Sequence, residues 1–370
     1  MSNRIITIQQ AMREHHLDAL ILVPGANMRY LTGIDFLTKL RFMAALIPAE
    51  GKAAIIVPTL EQSRAKKSLH IPANIQLWDD GAGPQLALQQ TMDTLGLQGK
   101  RIGIEDSVMR VFELRALEHT NAAANIVDAS VLLAEMRMVK DAEELSAMRK
   151  AVAVVEETLL MTIRHMHVGM TELQVAHIWQ ESIRAHGYQP SFDIAVAAGA
   201  NGANPHHVNS KRELYPGDLV VMDGGVYVDG YASDITRTIA IGEPDAEKLN
   251  IYELVKAANA AARAACRPGS TGEEIDRSAR DIIEQAGYGP NFIHRTGHGL
   301  GIDVHEAPFI VAGNNEALRP GTTFTIEPGI YIPGVCGVRI EDDMVITNDG
   351  AESLTTFERN LMIVSLVSSQ

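Results

Sequence analysis

GMTELQVAHIWQESIRAHGY (169–188) and GSTGEEIDRSARDIIEQAGY (269–288) both begin Gly-x-Thr, both end Gly-Tyr, and stay 100 residues apart throughout. Each reads as a helix between a glycine turn and a glycine C-cap. A second pair follows in the same order: PGDLVVMDGGVYVDGYASDI from Pro216 and PGTTFTIEPGIYIPGVCGVRIED from Pro320. In both, an acid stands six positions after the glycine (Gly217 to Asp223, Gly321 to Glu327) and a tyrosine four after that acid (Tyr227, Tyr331). In both, a second acid follows a turn (Asp234, Glu341), with Asp229-Gly230 and Pro333-Gly334 as the turn signals. Helices and hairpins that recur in one order imply a duplicated unit with a pseudo-two-fold axis. Such a fold brings the four acids together from opposite halves.

Four carboxylates among apolar strand residues repel one another, and burial disfavours the ionised form of each. Cations between them relieve both penalties, so the pattern points to a metal site. Four negative charges balance two divalent ions, with two of the acids bridging. A nitrogen ligand would complete the set. HRTGHGLGIDVHEAP (294–308) offers His294, His298 and His305, and NPHHV (204–208) offers His206 and His207. His298 lies between two glycines, where the backbone can approach closely. His206 and His305 stand 19 and 18 residues after Gly187 and Gly287, so they are near-equivalents, one imidazole for each side of the site. His207 and His294 read equally well as hydrogen-bonded structural residues.

A chain of 370 residues is too long for one typical core, so two domains are expected. The first third alternates strand-like runs (19–23, 44–48, 53–58, 101–105, 125–129) with helix-like ones, an α/β pattern. It lacks a glycine-rich phosphate loop, which argues against a nucleotide site. From about Ala134 a long helix-compatible segment runs to Met166, and the domain boundary is set at 133/134, with Lys140-Asp141 opening the helix that starts the second domain. The net charge of −14 excludes a nucleic-acid binder, which needs a basic footprint. Cys266 and Cys336 are too few for a disulfide framework and suit a reducing compartment. The start of the chain lacks the pattern of a signal peptide, and no stretch approaches a membrane span. A cytoplasmic protein without membrane partners is expected.

Asp223, Asp234, His298, Glu327 and Glu341 resemble the five-ligand site of the pita-bread metallopeptidases, the group of methionine aminopeptidases, Xaa-Pro aminopeptidases, prolidases and creatinases. The motifs SDITRT, GHGLGIDVHE, TIEPGIY and GVRIEDD are similar to those of the Xaa-Pro branch. NMRYLTG and the α/β leader resemble the creatinase-type N-terminal domain, so the likeness covers the whole chain. The resemblance implies an α/β N-terminal domain over 1–133, then an α+β pita-bread catalytic domain over 134–370. It implies that Asp234 and Glu341 bridge two divalent ions (manganese, cobalt or zinc), that Asp223 holds one, and that His298 and Glu327 hold the other. A water or hydroxide between the metals would attack the carbonyl before a proline nitrogen. His305 would donate to the developing oxyanion, and His206 would contact substrate near the scissile bond. Glu327 would carry the proton to the leaving nitrogen, and Arg339 would orient Glu341 or the substrate. Tyr30 and its neighbours would cap the site from a partner subunit, in a homodimer.

Two departures from the family pattern bear on substrate. Prolidases that cut dipeptides commonly carry an arginine after the HExP motif; here HEAP is followed by Phe309. That tilts the expectation toward an aminopeptidase acting on longer peptides with proline at the second position, with a strict Xaa-Pro dipeptidase as the alternative. Gly224-Gly225 stands where relatives have a bulkier residue and then glycine, which suggests extra room in the pocket. Two other function classes remain open: a hydrolase of a small amidine or compatible solute on the same fold, and a catalytically silent binding module.

Overall fold

A computed structural model describes residues 2–36 and 40–366 of the chain. The chain divides into two compact units, Met1–Arg137 and Met138–Gln370.

The first unit is an α/β layer structure. Its elements are α1 (Ser2–Glu14), β1 (Ala19–Leu22), α2 (Ala26–Thr32), β2 (Ala44–Pro48), β3 (Ala53–Pro58), α3 (Gln62–Ser68), β4 (Ala73–Trp78), α4 (Gln85–Thr94), β5 (Arg101–Ile104), α5 (Val111–Thr120), β6 (Asn125–Asp128) and α6 (Ser130–Met138). One mixed sheet runs β4-β3-β2-β1-β5-β6. β1, β2 and β3 are buried at every position, which is why they read as unbroken apolar runs. β4 (ANIQLW) has only its last residue buried, and it carried no such signal. Tyr30 is buried in this unit, its hydroxyl donating to the Met136 carbonyl (3.1 Å).

The long helix expected from 134 to 166 is two helices, and the 133/134 boundary falls inside the first of them, four residues before the units part. The second, α7, spans Ala142–His165. Asp141 is its N-cap: its carboxylate accepts the Glu144 N–H (2.9 Å), and the Glu144 carboxylate accepts the Asp141 N–H (2.8 Å). Such a cap contributes about 1 kcal/mol and fixes where the helix begins. Tertiary contacts hold the intervening chain out of the helix. The Lys140 N–H donates to Gly321 O (2.9 Å), and its buried ammonium pairs with Glu306 (2.7 Å).

The second unit continues with α8 (Glu172–Ala185), β7 (Gln189–Pro190), β8 (Ala195–Ala198), β9 (Leu219–Gly224), β10 (Val226–Val228), β11 (Tyr231–Ala232), β12 (Ile235–Ile241), α9 (Ala246–Ala265), α10 (Gly272–Gln285), β13 (Gly297–Gly299), β14 (Glu306–Ile310), β15 (Thr323–Ile326), β16 (Gly329–Ile332), β17 (Cys336–Arg339), β18 (Asp342–Ile346), β19 (Ala351–Ser353) and β20 (Met362–Val364). The repeat read in the sequence is a repeat of structure. α8 and α10 are both 14 residues long, and Thr171 and Thr271 close capping boxes with Gln174 and Glu274. Each half has its own apolar core: Val155, Leu159, Trp179 and Met222 in one, Val255, Ile275, Ile283 and Phe324 in the other.

The sheet orders are β20-β12-β9-β8 in the first half and β14-β13-β15-β18-β19 in the second. β9 lies antiparallel to β12 with Asp223 opposite Thr236, and β15 lies antiparallel to β18 with Ile326 opposite Asp342. The two halves meet along β12. The Glu341 N–H donates to Thr236 O (3.0 Å), the Arg339 N–H donates to the Thr238 hydroxyl (3.1 Å), and that hydroxyl donates to Arg339 O (3.0 Å). Asp223 and Asp234 therefore do not share one simple hairpin. Between them the chain leaves the sheet to form β10 and β11, turned by Asp229 and Gly230, both at positive φ (50° and 84°) as a type I′ turn demands.

Candidate active site

The strand pairing places four acids at strand ends around one hollow. Asp223 is the penultimate residue of β9, Asp234 immediately precedes β12, Glu327 follows β15 and Glu341 precedes β18. All four line a cavity of about 620 Å³, and so do His298, His305, His206 and Arg339. That volume is in the range of small-ligand sites.

His298 is the middle residue of β13. Its two flanking glycines are a steric requirement. A Cβ at Gly297 would come within 1.9 Å of Thr325 O, and one at Gly299 within 2.1 Å of Ala307 O. Bare backbone on both sides lets β13 sit tightly between β14 and β15 with the imidazole projecting into the cavity. The ring Nδ1 lies 3.1 Å from Gly299 O and so carries the hydrogen, which leaves Nε2 as a bare lone pair. That lone pair faces carboxylate oxygens, Glu327 at 3.3 Å and Asp234 at 3.9 Å. Protonating the ring would make these ion pairs, but burial, reinforced by His305, pushes the His298 pKa down to about 3. A lone pair aimed at carboxylates is repulsive unless a cation lies between them.

The acids show the same deficit. Burial, then Glu341 and Asp223, drive the Asp234 carboxyl well above the usual carboxylate range, and burial, then Glu327 and Asp223, do so for Glu341. Burial pushes Glu327 up to about 7 against the pull of Arg339. Asp223 Oδ1 and Asp234 Oδ1 are buried and accept no hydrogen bond from a described residue. Ligand atoms of Asp234, His298 and Glu341 all lie within 4.8 Å of one another. Clustered carboxylates with an oriented imidazole and orphaned oxygens are the donor set of a divalent cation.

Behind the acids stands a layer that orients them. Arg339 does not touch the Glu341 carboxylate. Its guanidinium pairs with Asp223 (2.7 Å), donates to the Thr236 hydroxyl (3.0 Å) and to the Tyr331 hydroxyl (3.0 Å). Burial alone would discourage its charge; Tyr331, Asp223 and Glu341 hold it protonated. The Thr236 hydroxyl in turn donates to Glu341 Oε2 (2.7 Å). Thr236→Val is therefore expected to free one Glu341 oxygen and weaken metal affinity about 10–100-fold, the usual cost of losing an outer partner of a ligand. A chelator-competition titration reads this directly, and an affinity equal to wild type would exclude the role.

These features have counterparts in known proteins. Residues 146–348 match the model of metallopeptidase family M24, and residues 4–139 match the creatinase/prolidase N-terminal domain. The chain belongs to metallopeptidase family M24. The second unit is thus the duplicated pita-bread catalytic domain, and the first is the creatinase-type domain that precedes it. Among the relatives, a probable dipeptidase PepE of Mycobacterium tuberculosis is 38% identical, covering 98% of this chain and 96% of that one. A prolidase from Thermococcus sibiricus superposes with a TM-score of 0.93 at 36% identity over 98% of each chain. An X-Pro aminopeptidase from Thermotoga maritima does so with 0.84 at 30% identity, over 96% of this chain and all (100%) of that one. The chain is a peptidase, and membership of this family implies divalent metal at the site.

The remaining candidates separate clearly. His207 is structural: its Nε2 meets Glu172 (2.8 Å), a fully buried carboxylate that also accepts from the Ala198 N–H, Asn201 and Ser210. Burial would raise the Glu172 pKa, but these hydrogen bonds outweigh it and hold it low. His294 donates through Nδ1 to Arg295 O (2.7 Å) and accepts from the Tyr331 hydroxyl (2.8 Å), which links it to Arg339. Thr236 and Arg295 carry no signal of their own in the sequence, and Tyr331 is marked there only by the repeat, although all three stand within or beside the quoted motifs. Gly224 does not open the pocket. A Cβ there would meet Ile194 at 2.4 Å and Trp179 at 2.9 Å, so core side chains already fill the space. None of the described helices is long and apolar enough to cross a membrane.

Proposed function

We propose that this chain hydrolyses Xaa-Pro dipeptides, with two divalent ions (manganese, cobalt or zinc) held by Asp223, Asp234, His298, Glu327 and Glu341. The observation that carries the proposal is the bare His298 Nε2 facing the Glu327 and Asp234 carboxylates in a peptide-sized cavity. Bound divalent ions supply a nucleophilic water at neutral pH and polarise a carbonyl oxygen. The protein's own groups do the rest. His305 is kept neutral by burial and by Arg295, so one ring nitrogen is a donor for the oxyanion that forms as the carbonyl is attacked. Glu327 would take up the proton that the attacking water gives up and hand it to the proline nitrogen as the C–N bond breaks. His206, on the cavity wall, contacts the substrate beside that bond, and Arg339 keeps Asp223 in place. Proline fits this chemistry because an X-Pro bond is a tertiary amide with no N–H, and the site asks for none.

The preference for a dipeptide over a longer peptide reverses the expectation drawn from Phe309. What supports it is the ranking of relatives: a dipeptidase and a prolidase match at higher identity than the aminopeptidase does. The test is one assay panel on protein reconstituted with manganese, cobalt or zinc, using Ala-Pro, Ala-Pro-Ala and creatine. Ala-Pro should be cut fastest and creatine left intact. Turnover of the tripeptide or of creatine without turnover of Ala-Pro would overturn the reading.

A further inference from the structure

Two arginines line the cavity, and they are in opposite circumstances. Arg339 is buried and fully engaged by Asp223, Thr236 and Tyr331. Among the described residues the Arg295 guanidinium has no ion pair and no hydrogen bond; it rests on the face of Phe309, 4.5 Å from the ring centroid. It is half-buried, on the segment that carries His294 and leads into β13. It lines the same cavity as His298, His305 and Glu327. Yet neither Asp223 nor Glu327 turns to pair with it.

A half-buried guanidinium without an anion is incomplete, and its planar edge suits a carboxylate bidentately. Phe309 covers one face of the group and fixes its plane, leaving the N–H edge free. A peptide whose scissile carbonyl lies at His298 and Glu327 carries an anion one residue further on only when it ends there. In a dipeptide that position is the terminal carboxylate; in a longer peptide it is a neutral amide. We propose that Arg295, seated on Phe309, binds the terminal carboxylate of the dipeptide and so sets the chain-length preference. This rests on the Xaa-Pro dipeptidase reading. Phe309 then has a role of its own: the ring does not bind the carboxylate but holds the cation that does.

The test compares kcat/KM for Ala-Pro and Ala-Pro-amide on the metal-loaded full chain. Wild type should prefer the acid. Arg295→Gln should lower the acid-to-amide ratio about 10- to 100-fold, the range for losing a hydrogen bond to a charged group, through KM more than kcat. Arg295→Lys should recover part of the ratio. Phe309→Leu should lower it a few-fold, as expected for a lost cation–π contact. A purely structural role would depress acid and amide alike and leave the ratio intact, and that result overturns the proposal, as does a wild-type ratio near one. If wild type cuts Ala-Pro and Arg295→Gln keeps its ratio, this inference falls alone. If wild type cuts Ala-Pro-Ala but not Ala-Pro, the dipeptidase reading falls and takes this inference with it.

Discussion

Glu341→Gln is expected to make chelator-treated protein more heat-stable than wild type, and metal-treated protein less so. The inversion of sign follows from the site's charge. Without metal, Glu341 is 2% exposed and held against Glu327 and Asp223, so its carboxyl either ionises against them or takes up a proton. Glutamine keeps the shape and can still accept from Thr236, and it removes that conflict. A gain of about 1 kcal/mol, or about 2–4 °C in the metal-responsive transition, is the expected scale. With metal, wild type gains about 2.7 kcal/mol at a hundredfold excess over Kd, and the variant forfeits much of this because a neutral amide is a poor ligand. Turnover should fall by more than the 10–100-fold typical of outer partners. A chelated variant that melts below chelated wild type, or a metal response as large as wild type's, would refute the argument.

The same charges fix a pH dependence for the metal-free wild type. Burial raises the Glu327 pKa from 4.5 to about 7, and Asp234, Glu341 and Asp343 are raised as well. At these four carboxyls the folded state holds more protons than the unfolded state, a contribution to stability lost as pH rises through the window, whereas the depressed His298, His294 and His305 imidazoles act in the opposite sense. The raised carboxyls outnumber the imidazoles, so chelated protein should melt at higher temperature at pH 5 than at pH 7. Glu341→Gln should flatten the slope, because one of the raised groups is gone.

What could be read from the chain in advance was what repeats or what clashes with its surroundings. Acids inside apolar strand runs are conspicuous, and their recurrence at matched spacing marks Asp223, Asp234, Glu327 and Glu341 in the sequence alone. His298 was marked by its glycines, whose necessity is now visible in the backbone of Thr325 and Ala307. The misreadings share a different cause. The start of α7 is legible at Asp141, its cap, but the helix that precedes it is not, and the contacts that hold the intervening chain out of a helix, with Gly321 and Glu306, lie far along the chain. Gly224 looked like room because its neighbours in space, Trp179 and Ile194, are not its neighbours in sequence. Phe309 lies against an arginine 14 positions earlier, a contact that no local pattern announces.

Arg237→Met carries the largest expected loss of stability. Arg237 sits in SDITRT, three positions after Asp234. It is not among the residues lining the cavity, and it is 1% exposed. Its guanidinium pairs with Asp342 (2.8 Å) and donates to the carbonyls of Thr236, Glu341, Phe357 and Glu358. Asp342 is fully buried; burial would raise its pKa, but Arg237 and Arg359 hold it low and charged. Asp342 keeps Arg359 (2.8 Å) when Arg237 is removed, so the loss falls on the broken pair and on four carbonyls left without this donor, together about 3–5 kcal/mol. For a unit of this size that is about 6–20 °C of thermal midpoint. Saturating metal should not restore it, because the lost contacts join β12 to the backbone of Glu341 and to the 357–358 segment rather than to the cavity. Adding Asp342→Leu should not recover this loss, because Arg359 and Arg263 then lose their carboxylate. Lysine cannot replace this arginine: one ammonium has three donors on a single atom, and the carbonyls and carboxylate here surround a planar fork. A single variant melting within a degree of wild type would show that the pair does not hold the two halves together.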